Sequence, residues 1–577
     1  MPNLERDLIL FFAFALSLTT IFLLLILPKF IFNYYPLSLA FLVLGFIISL
    51  VYTVRHVELL KINSPILKEK IIDYRLLLLA WIGVIVLMVI PAIHYPWYFG
   101  YGVDWVNHLE VIREYIIKSG DIFYPAINVH AFLSILNLLH FPYPEVFQIG
   151  SAYLLSLSVF PLYFIAKLLL PYSKAVNISL LLWLILPYNH LLYGEFIPNG
   201  ASVFFFLTFF LVILMILKRR IIEKNEHVGF LTVLGGLFLA GAVYNHQVFL
   251  YPFFYIYLFI TIFYFLVFGK VKYVTIAYAK ILGLAILILL PFLGKLYTGS
   301  QEVLKIHNGK ESSYILWDVL SMIHNSMGLA TLLLAFLGTC LYCFQNAVKK
   351  SPEGKFNTIV VFSLFAGNLL AVNVYFGGNP FWSERSLYLF EIFAIPPITY
   401  LIYVWMIRWP SQIRHVCVFV LFIFILGTRI EYSISIDPLW SKELQSSIEW
   451  AKVNKAFVED KSIYLVFGDP SISSVNHVFE LAFQHHTDLS VLLIGKDEYI
   501  NNIKMKQNKV LLDNNFYTIS MEGNNLYFDY KVEAIKSGDA LSFNDYLISK
   551  PKLIYTLDSM LRRYFLDRRV DNYSLGK

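Results

Sequence analysis

A chain of 577 residues with 58% hydrophobic and only 15% charged side chains sits far from the soluble average of about 25% charge. Its mean hydropathy of +0.66 excludes a soluble multidomain enzyme, and 51 phenylalanines exclude a disordered chain. The net charge of +6 is small for this length, and three cysteines, Cys340, Cys343 and Cys417, build no disulfide framework.

A helical crossing needs about 20 mostly apolar residues. Such runs lie at 8–28, 36–53, 75–93, 147–169, 175–193, 200–217, 229–245, 248–268, 279–298, 328–346, 357–376, 386–406 and 413–428. They predict an α-helical polytopic membrane protein with about thirteen crossings. The first run follows one basic residue, Arg6, and outlasts the core of a removed signal. No small-residue cleavage site follows it, so it reads as a retained anchor.

Alternate loops collect the basic residues. One loop holds Arg55, Lys61, Lys68, Lys70 and Arg75, and the next of this set holds Lys167 and Lys174. Then come Lys218, Arg219, Arg220 and Lys224; Lys270, Lys272 and Lys280; Lys349, Lys350 and Lys355; and Arg408 with Arg414. The loops between them are basic-poor, and the long first one, 94–146, holds only Arg113 and Lys118. Positive-inside sorting then predicts a cytoplasmic N-terminus and, after thirteen crossings, an outer C-terminus.

From 436 the charge rises and long apolar runs end. Stretches 462–469 and 488–495 read as buried strands, with helical apolar spacing over 475–486 between them. Residues 514–521 and 524–532 alternate as paired strands around Glu522–Asn525. The expectation is a transmembrane domain over 1–435 and a small extracytoplasmic α/β domain over 436–577.

The first outer loop carries Trp105, Leu109, Ile112 and Ile116 at helical spacing, which predicts an amphipathic helix in the outer interface. Asp104 and His108 are four apart and share one face. By spacing alone, Asp104 is as well explained as a helix cap, with His108 in water. A second short helix, 131–140, follows Tyr124–Pro125.

The order Gly102-x-Asp104, three residues, His108, an amphipathic stretch, Gly120, a Tyr-Pro turn and a short helix resembles the first outer loop of GT-C glycosyltransferases. These are integral-membrane enzymes that take sugars from polyprenyl-phosphate carriers. The resemblance extends to the layout of the membrane region and is strongest over 100–170, weaker over 379–400. It implies that Asp104 stands beside the reaction centre as general base. It also implies a cationic environment for the leaving lipid phosphate. Some members use a metal, so a divalent ion such as Mg or Mn on Asp104 and His108 stays open; no other cofactor is implied.

Departures narrow the branch. The adjacent Asp-Glu pair of protein mannosyltransferases is absent, since Trp105 follows Asp104, and no two tryptophans are adjacent anywhere. A typical oligosaccharyltransferase carries a Trp-Trp-Asp motif, so a monosaccharide-transferring enzyme fits better.

Further polar residues fall in the same set of loops. Glu195, with His190 and Asn199 nearby, is either an exposed turn acid or an acceptor-positioning or metal-binding group. His246 reads as an interface residue. Lys295, Lys305, His307 and Lys310 bind either ordinary headgroups by snorkelling or the carrier phosphate. Arg385, directly after Glu384, is either half of a local ion pair or a phosphate clamp. Glu391, deeper in that crossing, needs a partner or a cavity.

Weaker signals carry little. Cys340 and Cys343 have redox spacing but read as apolar filler, and His485, His486 and Asp488 read as a helix end. The Phe-Gly-Asp-Pro at 467–470 lacks the glycines of a phosphate loop. The sequence reading is thus a glycosyltransferase (hexosyl- or pentosyl-) of the plasma or inner membrane. It would move a sugar from a polyprenyl-phosphate donor to a glycan, lipid or protein hydroxyl with inversion. Its machinery would be Asp104 as base, His108 and Glu195 beside it, and Arg385, Lys295 and His307 on the phosphate. The alternatives are a lipid-linked glycan polymerase or ligase, and a transporter or lipid flippase. No nucleic-acid partner is implied.

Overall fold

The computed structural model describes 74–94, 152–170, 172–185, 197–219, 229–245, 250–269, 271–290, 329–348, 351–373 and 380–410. It also describes five strands between 463 and 556, with isolated positions in 8–51, at 133 and 150, and in 412–423. By backbone contacts the chain divides into two units. One is Met1–Ile90 with Val111–Ser433, and the other is Pro91–Glu110 with Ile434–Lys577.

The first unit is helical. Its elements are α1 (Tyr74–His94), α2 (Val159–Leu169), α3 (Ser173–Ile185), α4 (Ile197–Lys218), α5 (Gly229–Asn245) and α6 (Leu250–Phe268). They continue with α7 (Val271–Leu289), α8 (Leu329–Val348), α9 (Pro352–Asn373) and α10 (Pro380–Met406). Among the described residues four helical stretches are long and apolar enough to cross a membrane: Ala152–Leu169, Gly200–Lys218, Pro352–Ala371 and Leu389–Met406. The first includes a turn at Leu157–Ser158 before α2 proper.

The starts of α7 and α9 differ from the sequence expectation. The crossing expected at 279–298 contains a helix that already begins at Val271, immediately after a break at Gly269 with φ +66°. Its first turns carry Lys272 and Lys280, which lower the hydropathy without breaking backbone hydrogen bonds. The helix α9 starts at Pro352 rather than 357, because Ser351, Pro352 and Glu353 form a helix-start signal. Ser351 Oγ accepts the amide of Gly354 at 3.0 Å.

Packing is close enough for backbones to touch. A Cβ on Gly367 of α9 would lie 2.7 Å from both the Cα and the nitrogen of Ile256 in α6. On α5, Gly236 receives the Leu284 side chain of α7 at 2.7 Å from the same virtual atom. The helix α10 is central: every residue from Leu389 to Tyr400 is buried. Its Phe390 meets Phe365 of α9, and its Phe393 meets Phe206 and Phe210 of α4. By contrast, Leu78 and Leu79 of α1, Phe254, Phe265 and Leu266 of α6, and Leu287 of α7 are exposed. Apolar side chains on the outside of an apolar bundle match a hydrocarbon solvent.

One end of this unit is fixed by polar contacts. Lys218 Nζ at the end of α4 donates to Glu353 Oε1 at the start of α9, 2.8 Å away. Tyr342 of α8 donates to the carbonyl of Leu169 at the end of α2. Tyr400 of α10 donates to Gln345 of α8, and Ser179 of α3 donates to Thr399 at 3.2 Å. This end therefore gathers Lys167, Lys218, Arg219, Lys355 and Arg408.

The second unit holds a five-stranded sheet in the order β2-β1-β3-β4-β5, from β1 (Ile463–Phe467), β2 (Val491–Gly495), β3 (Tyr517–Glu522), β4 (Asn525–Tyr530) and β5 (Lys552–Thr556). The strands β2, β1 and β3 are parallel; β4 and β5 are antiparallel additions. Parallel neighbours require crossover connections. The helix expected over 475–486 lies outside the described residues.

Four stability outcomes follow. Gly367→Ala should cost about 1–3 kcal/mol, because the methyl meets backbone rather than a movable side chain. Gly283→Ala, with nothing within 4 Å of its virtual Cβ, should melt at or slightly above the wild-type temperature in detergent. Lys218→Met leaves a carboxylate facing an apolar chain and should cost about 3 kcal/mol. The double variant Lys218→Met/Glu353→Leu should recover most of that loss in the same melting experiment.

Candidate functional site

The end opposite the Lys218–Glu353 pair holds the start of α4, the end of α5 and the start of α10. Ser202 Oγ near the start of α4 donates to the carbonyl of Ala242 near the end of α5 at 2.9 Å. That bond fixes the α4 start and the α5 end at one level. Phe253 at the start of α6 packs on Phe206 and Phe209, so α6 begins there too. The helices α8 and α10 run parallel, since Gly338 meets Pro397 while Gln345 meets Tyr400 farther along. The N-terminus of α10 therefore lies at this same end.

The segment 186–196, which carries Glu195, leads into α4. The segment after α7 carries Lys295 and His307. Asp104 and His108 follow α1, in the stretch grouped with the C-terminal unit. Asp104, His108, Glu195, Lys295 and His307 themselves lie outside the described residues. Arg385 lies in the second turn of α10, which opens at Pro380 rather than at 386. Proline at a helix start gives up no intrahelical bond and presets φ, so this helix extends past the apolar run on which the sequence expectation rested.

Glu391 of α10 is a buried carboxylate, with 0% of its surface exposed. It is the twelfth residue of the 27-residue helix α10, about 16 Å along the axis from Pro380. It stands between Phe390 and Ile392 in sequence, in a stretch buried on all sides. Burying a carboxylate in apolar surroundings is expensive unless it is paired or lines a polar space, so its presence calls for a chemical reason.

Buried amides stand on α9, which packs on α10, and on α5. Asn368 of α9 donates to the carbonyl of Leu364 at 2.7 Å, and Asn245 at the end of α5 donates to Gly241 at 2.6 Å. Their carbonyl oxygens, Asn368 Oδ1 and Asn245 Oδ1, are buried without a hydrogen-bond partner, as is Ser363 Oγ. Each buried amide uses its donor on the helix and keeps an acceptor in reserve. The sequence signal for these residues is slight, because one amide in an apolar helix is common.

Among the described residues no group of three or more His, Cys, Asp or Glu stands together. Cys340 and Cys343 are free thiols, with Cys343 Sγ 3.9 Å from the carbonyl of Thr358. No known family model matches the chain, and no curated protein matches it.

Glu391→Gln separates charge from shape. A site role predicts a melting temperature close to the wild type and at least a tenfold loss of turnover. A lowered melting temperature with unchanged turnover would make Glu391 a packing residue only.

Proposed function

We propose that this protein is a membrane glycosyltransferase of GT-C layout. In this reading about thirteen helices cross the membrane, the N-terminus is cytoplasmic, and the C-terminal unit and the first long loop lie outside. The donor is a polyprenyl-phosphate monosaccharide and the acceptor a hydroxyl of a cell-surface glycan, lipid or protein.

The observation that carries the reading is the separation of charge along the helical bundle. The buried basic residues Lys167, Lys218 and Arg219 belong to one end, while the segments bearing Glu195, Lys295, His307 and Arg385 leave the other. Positive-inside sorting makes the first end cytoplasmic. The candidate residues then face the side on which lipid-linked sugars are used.

The chemistry assigns one task to each group. The acceptor oxygen attacks the anomeric carbon and its proton passes to the Asp104 carboxylate. The bond from that carbon to the phosphate oxygen breaks on the opposite face, so the anomeric centre inverts. The electron pair leaves on the lipid phosphate, and Arg385, Lys295 and His307 stabilise the charge. His108 and Glu195 orient the acceptor or hold a divalent ion.

A second reading draws on Glu391. A carboxylate near the middle of a helix that also contains Pro396 and Pro397 is a pattern of transporters, where interrupted helices carry charge at membrane depth. The two readings separate in one experiment. Purified protein is incubated with radiolabelled polyprenyl-phosphate sugars, beside its Asp104→Asn variant. Sugar transfer that falls at least a hundredfold in the variant supports the enzyme. Transfer equal in both sinks the base assignment, and solute uptake into liposomes without any transfer selects the transporter.

A further inference from the structure

The start of α3 and the end of α10 meet at the end of the helical unit that carries Lys218. Ser179 donates to Thr399 at 3.2 Å, and beyond that bond the Tyr172 and Tyr403 rings lie 4.6 Å apart. Past Tyr403 the helix tightens and stops. The amide of Arg408 reaches the carbonyl of Trp405 at 3.3 Å, and that of Trp409 the carbonyl of Met406 at 3.1 Å, the three-residue spacing of a closing turn. The Trp405 and Trp409 rings stand 4.6 Å apart. Tryptophan and tyrosine gathered at the end of an apolar helix mark the boundary between hydrocarbon and headgroups.

Two cations flank these rings. Lys174 follows Tyr172 by two residues, Arg408 follows Tyr403 by five, and both are exposed. Neither finds an acid along its own stretch of chain, because no Asp or Glu occurs from 146 to 194 or from 392 to 430. Glu353 at this end is bonded to Lys218, and among the described residues no carboxylate pairs with Lys174 or Arg408. The surface beside them is apolar: Trp405 is 58% exposed and Ile407 46%, and Ile413 and Val416 are exposed after them.

We infer that the rings and cations at the meeting of α3 and α10 hold the headgroup of an acidic phospholipid, with its phosphate on Arg408 and Lys174 and the start of its chains against Trp405 and Ile407. A guanidinium binds phosphate through two parallel donors, and cations at a bilayer surface attract anionic lipid. A soluble anion would leave Trp405 and Ile407 uncovered. A zwitterionic headgroup would bring its own cation against two unpaired ones. The site needs the helical unit to span a bilayer and does not depend on sugar transfer, whose candidate residues belong to the opposite end.

Native mass spectrometry of the full chain in detergent tests this. Delipidated protein receives equal amounts of phosphatidylglycerol and phosphatidylcholine. The site predicts that the first is retained at least about fivefold more. Arg408→Gln/Lys174→Gln should bring the two lipids to parity without lowering the melting temperature, since both side chains are exposed. Arg75→Gln/Lys355→Gln removes two other exposed cations and should leave the preference intact. Equal retention in the wild type, a preference that survives Arg408→Gln/Lys174→Gln, or one lost equally in Arg75→Gln/Lys355→Gln would overturn the site. Displacement of the lipid by millimolar glycerol 3-phosphate would overturn it too, by making this a site for free phosphate. Flotation with phosphatidylcholine liposomes checks the bilayer setting separately. A chain that does not float loses the setting and the site together, and one that floats but shows no preference loses the site alone.

Discussion

Inside hydrocarbon no water is present to satisfy a backbone amide, so the chain must pair each N–H and C=O within itself. The described part of the first unit, helical throughout, meets that requirement. Gly269, with φ +66°, breaks the chain between α6 and α7, where a residue without Cβ enters the left-handed region freely. The proline pair is the exception within a helix. It removes the helical donors of two carbonyls in a fully buried stretch that also holds a buried carboxylate.

Polar groups in such a bundle are costly to place, and their positions are informative. At the end bearing Lys218, they cross-link helices: α4 to α9, α8 to α2, and α10 to α3 and α8. Those contacts join partners far apart in sequence and hold the bundle in one arrangement. Buried amides such as Asn245 and Asn368 instead bond to the carbonyls of their own helices.

The helices were largely legible in the sequence where apolar runs end in glycine or a polar turn. The run 229–245 is α5 residue for residue, because Gly229 and Asn245 bound it. Legibility failed where a helix outran its apolar segment. The lysines of α7 and the Pro380–Arg385 opening of α10 lower hydropathy, yet they cost the helix no backbone bond. Pairings such as Lys218 with Glu353 stayed hidden because 135 residues separate the partners. Of the site, Arg385 and Glu391 were readable as charges in an apolar helix. Asn245 and Asn368 were not, since only tertiary burial distinguishes them from ordinary helix residues.

The proposed glycosyl transfer requires Asp104, Glu195 and Arg385 to share one site. The most direct measurement is an experimental structure of the full chain in lipid with polyprenyl phosphate bound. The account predicts that Asp104, Glu195 and Arg385 line one cavity open to lipid, with Arg385 on the phosphate. Separation of the three by more than about 15 Å with no shared cavity would contradict it, because a base must reach its proton directly or through one water.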